Sequence, residues 1–506
     1  MRPTLGLTGV TVNAMALIAP GAFLWITLQI QAAQTVPGGT ASTALDIWPG
    51  IVFALILAFM TALSYSELAR IYPEAGSGSC YYFAEKAFVD KAEIRHHRWA
   101  RIAKLVTGWA AHLFYWVYPG VMVAFMAILI SYILGQFGLD IGLVPQMVIA
   151  VLFAILVGYI ALRGVNGSTM TALVINVVQL VALVGFSAIA IWYRVANPDN
   201  AQFVHPTATS VILPKDVLNV LMQSTVAILI LVGFESCTAF GAEAKNARRD
   251  VPRAVIIALV VQGLFAYLIE YFAANFAISD KLTGTAADGT ALTGLDAAGA
   301  SSAPMGDLIR LIGDSLLGGV GFGLMVVIAI TVALAILGTT LSAMNTGVRI
   351  TFAMAQDKEM PEPLGLLHSS FVTPHMAVFA MIAVSAVIGV IGVISVVTLT
   401  GITLASNFGT FVLYALTCLW AIIAFASRPD FNWLKHLVVP GLGLLANIVM
   451  LVTILGVGIV GGGDSQTESL IAVGFAAVWA VASGIYVVMS NRRTGRSLVT
   501  QPKAAA

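Results

Sequence analysis

The chain has 506 residues, 59% of them apolar and only 10% charged, and its mean hydropathy is +0.94. Soluble domains carry about 25% charged residues, so a water-exposed surface cannot be built from this composition. A net charge of +1 gives no basic excess for a nucleic acid partner, and Cys80, Cys237 and Cys418 lack metal-ligand spacing and read as small apolar fillers.

Apolar runs of about 20 residues, enough to cross roughly 30 Å of hydrocarbon, recur along the chain. They predict spans at about 7 to 33, 49 to 69, 104 to 135, 146 to 162, 170 to 193, 217 to 244, 253 to 278, 316 to 348, 376 to 394, 402 to 426, 435 to 460 and 468 to 490. This is an all-α membrane protein with twelve transmembrane helices, and the lipid bilayer is its main solvent. Residues 376–427 contain no charge, and the ninth and tenth spans are divided at the Thr398 to Thr403 stretch. The first span follows Arg2 directly without a small-residue cleavage site, which reads as a retained helix rather than a signal peptide.

With the N-terminus inside, the cytoplasmic face collects 21 of the 25 Lys and Arg residues, leaving Arg194, Lys215, Lys281 and Arg310 outside. Both termini are therefore expected in the cytoplasm, in the plasma (inner) membrane. The cytoplasmic loop at 70–104 opens with Tyr81, Tyr82, Phe83 and Phe88 and ends basic, as in a helix lying at the membrane surface. The external loop at 279–314 is rich in Gly, Ala, Ser and Thr and reads as irregular, with one short helix and the potential to act as a lid.

Two helices are interrupted. Helix 1 carries Ala19-Pro20-Gly21-Ala22 halfway through its span, and helix 6 carries Gly233-Phe234-Glu235 at the matching depth. Unwound backbone survives in the bilayer only where it lines a cavity or meets a ligand. Paired interruptions five spans apart point to an inverted-repeat transporter with its site between the halves. The half-helix beginning near Pro20 and Gly21 offers free N–H groups to an anion such as a carboxylate, and the helix 6 break offers carbonyls and Glu235 to a cation.

These residues resemble the amino acid-polyamine-organocation permeases, which have the leucine-transporter-like fold. Gly233-Phe234-Glu235 followed by Ala242-Glu243-Ala244-Lys245-Asn246 and Arg249-Asp250-Val251-Pro252-Arg253-Ala254 is similar to the family's helix 6 motif. Tyr72-Pro73-Glu74-Ala75-Gly76-Ser77-Gly78 resembles the loop after helix 2, and Arg349 to Pro361 the end of helix 8. The resemblance implies a 5+5 inverted repeat (about 5–195 and 215–430) within a core at 1–430. Helices 11 and 12 follow at 431–490, where a homodimer interface would lie, and then a tail at 491–506.

It also implies transport of a small-molecule substrate, an amino acid or an amine, between helices 1 and 6. Ala19, Pro20, Gly21 and Ala22 would hold the carboxylate, Gly233 and Phe234 the ammonium, and Phe234 would close over the substrate from outside. Tyr115 on helix 3, Ala343 on helix 8 and Asn407 on helix 10 would complete the walls. Leu229 and Ala343 stand where relatives place bulkier groups, which favours a neutral amino acid of medium to large size. Gln179 stands where some members carry a proton-handling lysine. Thr339 and Thr340 resemble a sodium site, so the coupling ion is left open between sodium and proton, with no other cofactor expected.

Glu235 and Glu270 are the acidic residues deepest in the bilayer, where an unpaired charge costs on the order of 3 kcal/mol or more. Each is open to a coupling role or a hydrogen-bonded structural one, as is His112 among its aromatic neighbours. No enzyme motif or nucleotide-binding loop stands out. The competing readings are a polyamine or monoamine permease of the same fold and, more remotely, a channel or membrane-embedded enzyme.

Overall fold

Backbone groups in hydrocarbon have no water to bond, so each span must satisfy its own amides and carbonyls. The computed structural model describes residues 5–18, 21–22, 25–73, 79–89, 94–163, 168–286, 288–371 and 373–494, and it is almost wholly helical. Among these residues eleven helices are long and apolar enough to cross a membrane, and helix 1 adds a twelfth span in two pieces, Leu7–Ile18 and Thr27–Ala33.

Helices 2 to 5 are Ile47–Ile71, Ile94–Gln136, Leu143–Arg163 and Ser168–Ala196. Helix 6 runs as Val217–Ala227, breaks at Gly233 and resumes as the tighter 3₁₀ turns of Phe234–Glu243. Helix 7 comprises Ala247–Leu259, a π-helical stretch Val260–Tyr267, and Leu268–Ala277. Helices 8 to 12 are Gly321–Gln356, His375–Gly392, Val396–Phe425, Leu434–Gly461 and Gly463–Thr494.

Helices 3 and 6 are the most enclosed, with 72% of their apolar windows buried, whereas helix 12 buries 6% and turns side chains such as Val478 and Val481 outward. The centre of the fold is therefore where helices 1, 3 and 6 meet, and helix 12 lies at its rim.

Three sequence expectations change. Helices 9 and 10 part at Val393–Ser395, earlier than the Thr398 to Thr403 stretch, because Ser395 starts helix 10 as a capping box. Its hydroxyl accepts the Thr398 amide at 3.1 Å, while Thr398 Oγ1 accepts the Ser395 amide at 3.0 Å.

The external loop is more ordered than its composition suggested. A hairpin of β1, Thr283–Thr285, and β2, Ala291–Thr293, leads into two helices, Gly294–Ala300 and Pro304–Leu317. In the second helix Met305, Leu308, Ile309 and Ile312 recur at helical spacing and are buried. The first packs so closely on the outer piece of helix 1 that a Cβ on Gly299 would lie 3.1 Å from the Ala33 backbone.

The segment expected to lie on the membrane surface is the helix Cys80–Val89, and it is tucked inward against helices 3 and 10 with Tyr81 and Phe83 buried. Residues 74–78 of the preceding motif lie outside the described residues.

Candidate functional site

Ending a helix in mid-membrane orphans its last four carbonyls. In the inner piece of helix 1 these belong to Met15, Ala16, Leu17 and Ile18, and all four are met by side chains of other helices. Gln262 Nε2 donates to Met15 O at 2.9 Å and Tyr267 Oη to Ile18 O at 3.0 Å, both from helix 7. Thr339 Oγ1 on helix 8 lies 3.0 and 2.9 Å from Ala16 O and Leu17 O. Tyr118 Oη on helix 3 approaches Leu17 O at 3.4 Å. One turn earlier, Asn176 Nδ2 of helix 5 donates to Val12 O at 3.2 Å. The broken helix is thus held by four surrounding helices.

Beyond the break the Gly21 amide donates to Gln179 Oε1 at 3.3 Å, and a Cβ on Gly21 would sit 3.3 Å from Gln179 Cγ. Gln179 therefore acts as a cap for the backbone beyond the break. Ala22 is buried beside it, and Ala19 and Pro20 lie outside the described residues.

Helix 6 breaks where Gly233 adopts φ +127°, a conformation that side-chain-bearing residues rarely take. A Cβ there would fall 2.8 Å from Ile18 N and 3.0 Å from the Leu17 carbonyl carbon. The two interruptions therefore touch, backbone to backbone. Glu235 Oε2 accepts the orphaned Gly233 amide at 2.9 Å and the Tyr414 hydroxyl of helix 10 at 2.9 Å. Its Oε1 accepts the Tyr115 hydroxyl of helix 3 at 3.0 Å. One buried carboxyl thereby ties helices 3, 6 and 10 together.

Phe234 packs edge-on to Tyr65, with centroids 6.2 Å apart, and against Tyr414 at 5.4 Å. These tyrosines lie toward the basic ends of helices 2 and 10, so Phe234 sits on the predicted cytoplasmic side of the break rather than over its outer mouth. Asn407 reaches helix 6, where Nδ2 donates to Thr225 O at 2.7 Å. Ala343 and Leu229 are buried and small or aliphatic.

Other candidates fall elsewhere. Thr340 Oγ1 donates back to Ile336 O at 2.5 Å within its own helix, so only Thr339 of the hydroxyl pair is turned to helix 1. His112 pairs with Thr351 Oγ1 at 2.9 Å and is surrounded by Trp109, Trp116 and Trp479, between helices 3, 8 and 12. Glu270 is buried on helix 7, apart from the Glu235 cluster, and neither of its oxygens has a hydrogen-bond partner among the described residues.

Sequence reasoning missed Tyr414, although it lies two turns after Asn407 on helix 10. It also missed Tyr118, Tyr267 and Gln262, for which no local signal exists.

The basic face is latched. The Tyr81 hydroxyl donates to Glu359 Oε2 at 2.8 Å and Asp357 Oδ2 at 2.9 Å. Lys104 bridges Asp357 at 2.8 Å and Glu85 at 2.7 Å. Burial pushes the Glu359 carboxyl up to about 7, and burial together with the two carboxylates raises the Tyr81 hydroxyl. A second bridge joins Arg349 to Glu243 at 2.9 Å.

A polytopic helical protein with two contacting interrupted spans at its centre is the class that the fold and site define. The amino acid permease family model matches residues 4–488, and the chain belongs to that family. It is 23% identical to the methylthioribose transporter of Bacillus subtilis (strain 168) over 67% of this chain and 66% of the relative. It is 25% identical to the branched-chain amino acid permease BcaP of Lactococcus lactis subsp. cremoris (strain MG1363) over 66% of each chain. It is also 25% identical to the low-affinity putrescine importer PlaP of Escherichia coli (strain K12), over 54% of each. These matches span about half to two thirds of the relatives' own lengths.

Proposed function

We propose that this protein is a secondary transporter that carries a neutral, medium to large amino acid across the plasma membrane by alternating access, with both termini in the cytoplasm. The observation that carries this reading is the contact between the helix 1 and helix 6 interruptions at Leu17, Ile18 and Gly233, backed by Glu235. Non-helical backbone at that depth needs an enclosed site, and its peptide groups, once exchanged from the side chains that cap them in this conformation, match the carboxylate and ammonium of an amino acid. The latch of Tyr81, Asp357, Glu359 and Lys104 closes the basic face, so substrate entry from that side requires its release.

The amine reading draws on Glu235 and on the relative named as a putrescine importer. It is weakened because three donors already occupy both oxygens of Glu235, and an amine would have to displace one of them. BcaP, named for branched-chain amino acids, and the aliphatic Leu229 and Ala343 favour the neutral substrate.

Uptake of a radiolabelled panel of amino acids and amines into proteoliposomes, under imposed sodium or proton gradients, tests the proposal. Amino acid accumulation that disappears in Gly21→Val supports it. Uptake confined to amines, or none at all, replaces it with the amine reading or removes transport altogether.

A further inference from the structure

Building on the transport reading, we propose that Glu270 is the proton-binding site that couples substrate movement to a pH gradient. Glu270 is fully buried in the outer part of helix 7, and neither carboxyl oxygen has a hydrogen-bond or ion-pair partner among the described residues. Glu235, by contrast, meets three donors. An isolated carboxylate is costly in such a place, whereas the neutral acid is accommodated.

The charged group on the elements packed here is Arg194, at the outer end of helix 5; its guanidinium stacks on Phe203 and on Phe276 of helix 7 and donates to Pro206 O, and among the described residues it makes no ion pair with Glu270. Helix 2 over 47–66, helix 5 over 168–193, the short helix Ala208–Ile212 and helix 1 over 7–33 carry no Asp, Glu, Lys, Arg or His. The titratable groups on these elements and on helix 7 nearby are tyrosines: Tyr267 and Tyr271 on helix 7, Tyr65 on helix 2 and Tyr193 on helix 5, with Tyr118 of helix 3 near Tyr267.

The carboxyl is mechanically tied to the substrate site. One turn before it, Tyr267 closes the π-helical stretch Val260–Tyr267 and donates to Ile18 O at the end of the inner piece of helix 1. Gln262 in the same stretch holds Met15 O. π-Helical turns are strained and recur at functional sites, so a change of charge next to one bears directly on two of the four carbonyl caps of helix 1. Toward the outer face, the Gln31 amide and Asn275 Oδ1 are further buried side-chain polar atoms without a hydrogen-bond partner among the described residues, the kind of group that holds ordered water.

The step balances simply. A proton from external water adds to the carboxylate oxygen, and the neutral acid lets helix 7 stay packed in the substrate-loaded state. On the opposite face the O–H bond breaks, the proton passes to cytoplasmic water, and the carboxylate is left hydrated. The proton acts by binding one conformation better than the other.

The test uses the full chain in proteoliposomes with radiolabelled leucine. With the outside one pH unit more acid, the wild type is expected to accumulate leucine up to about tenfold, and Glu270→Gln to fall to the level without a gradient while leucine exchange persists. Accumulation by Glu270→Gln equal to wild type, or none by the wild type under a pH gradient while sodium drives it, overturns the proposal.

Infrared difference spectra of the detergent-purified protein between acid and alkaline buffer read the site without transport. In a background carrying Glu359→Gln and Glu468→Gln, which removes two other buried carboxyls, the band of a dry protonated carboxyl should titrate with and without Glu235→Gln and be absent once Glu270→Gln is added. A band that survives Glu270→Gln refutes the assignment even if leucine proves not to be the cargo. Absence of any transport with the band assigned to Glu270 would instead reject the transport reading and leave the proton site standing.

Discussion

The side-chain carbonyl of Gln179 on helix 5 accepts the amide hydrogen of Gly21, 158 residues away, at the start of the chain's outward continuation from the helix 1 break. The amide that the sequence assigned to a substrate carboxylate is thus already paired in this conformation, so binding there involves exchange with Gln179. Gln179→Leu leaves the amide without a partner at a cost of about 1–3 kcal/mol. A lowered melting temperature and a raised KM for uptake are expected. Unchanged values of both would show that the contact is incidental.

Gly233→Ala should be far more damaging than Gly21→Ala. The Gly21 Cβ would meet side-chain carbon at 3.3 Å, which can shift slightly, whereas the Gly233 Cβ would meet helix 1 backbone at 2.8 Å from a φ of +127°. Backbone strain alone costs on the order of 1–3 kcal/mol before the clash is counted. Uptake normalised to membrane expression should vanish in Gly233→Ala and persist in Gly21→Ala. Equal activities would sink the view that the two breaks touch.

Tyr115→Phe and Tyr414→Phe each remove one donor from the same carboxyl. Hydrogen bonds to charged groups contribute about 1.5–3 kcal/mol, so each variant should lose roughly 10- to 100-fold in transport efficiency. A double-mutant cycle with Glu235→Gln is the decisive measurement, because partners in one network are non-additive. Strict additivity of the losses would falsify the shared role.

The latch on the basic face carries a pH dependence with a definite sign. Glu359 is held at about 7, above the ordinary carboxylate value of 4.5, by burial. The closed latch therefore binds a proton more tightly than an opened or unfolded one does. Its contribution is fully present below about pH 4.5 and is lost as pH rises through about 7, amounting to at most about 3 kcal/mol. Melting curves of wild type should show stability declining across this window, and Glu359→Gln should flatten the decline. A wild type and variant with parallel pH profiles would exclude Glu359 as the source.

Much of this molecule was legible in the sequence because the relevant signals are local. Apolar length located the spans, since lipid demands it wherever the chain crosses, but it misplaced some ends by up to about ten residues, as at the start of helix 3 (expected 104, observed Ile94) and the end of helix 8 (expected 348, observed Gln356). The Gly233 interruption was visible because a positive φ is open to glycine, and the inner helix 1 piece ends at Ile18, two residues before the Pro20 that marked the break in the sequence.

Errors arose where a local signal was overlooked or overridden. The Ser395 and Thr398 capping box placed the turn between helices 9 and 10, and the spacing of Met305, Leu308, Ile309 and Ile312 marked a helix within a loop of small residues.

What the tertiary structure alone decided is who meets whom. Nothing near Gln179 in the chain indicates that it caps Gly21, nor that Tyr115 and Tyr414 share Glu235, nor that Tyr81 closes on Glu359. Glu235 and Glu270 look alike in the sequence, each a lone acid in an apolar helix, yet among the described residues one meets three donors and the other none. The difference lies in the rotation of each helix about its axis and in the neighbours that this brings within about 3 Å, the reach of a hydrogen bond. Composition and periodicity do not encode that rotation, and close packing across hundreds of residues sets it.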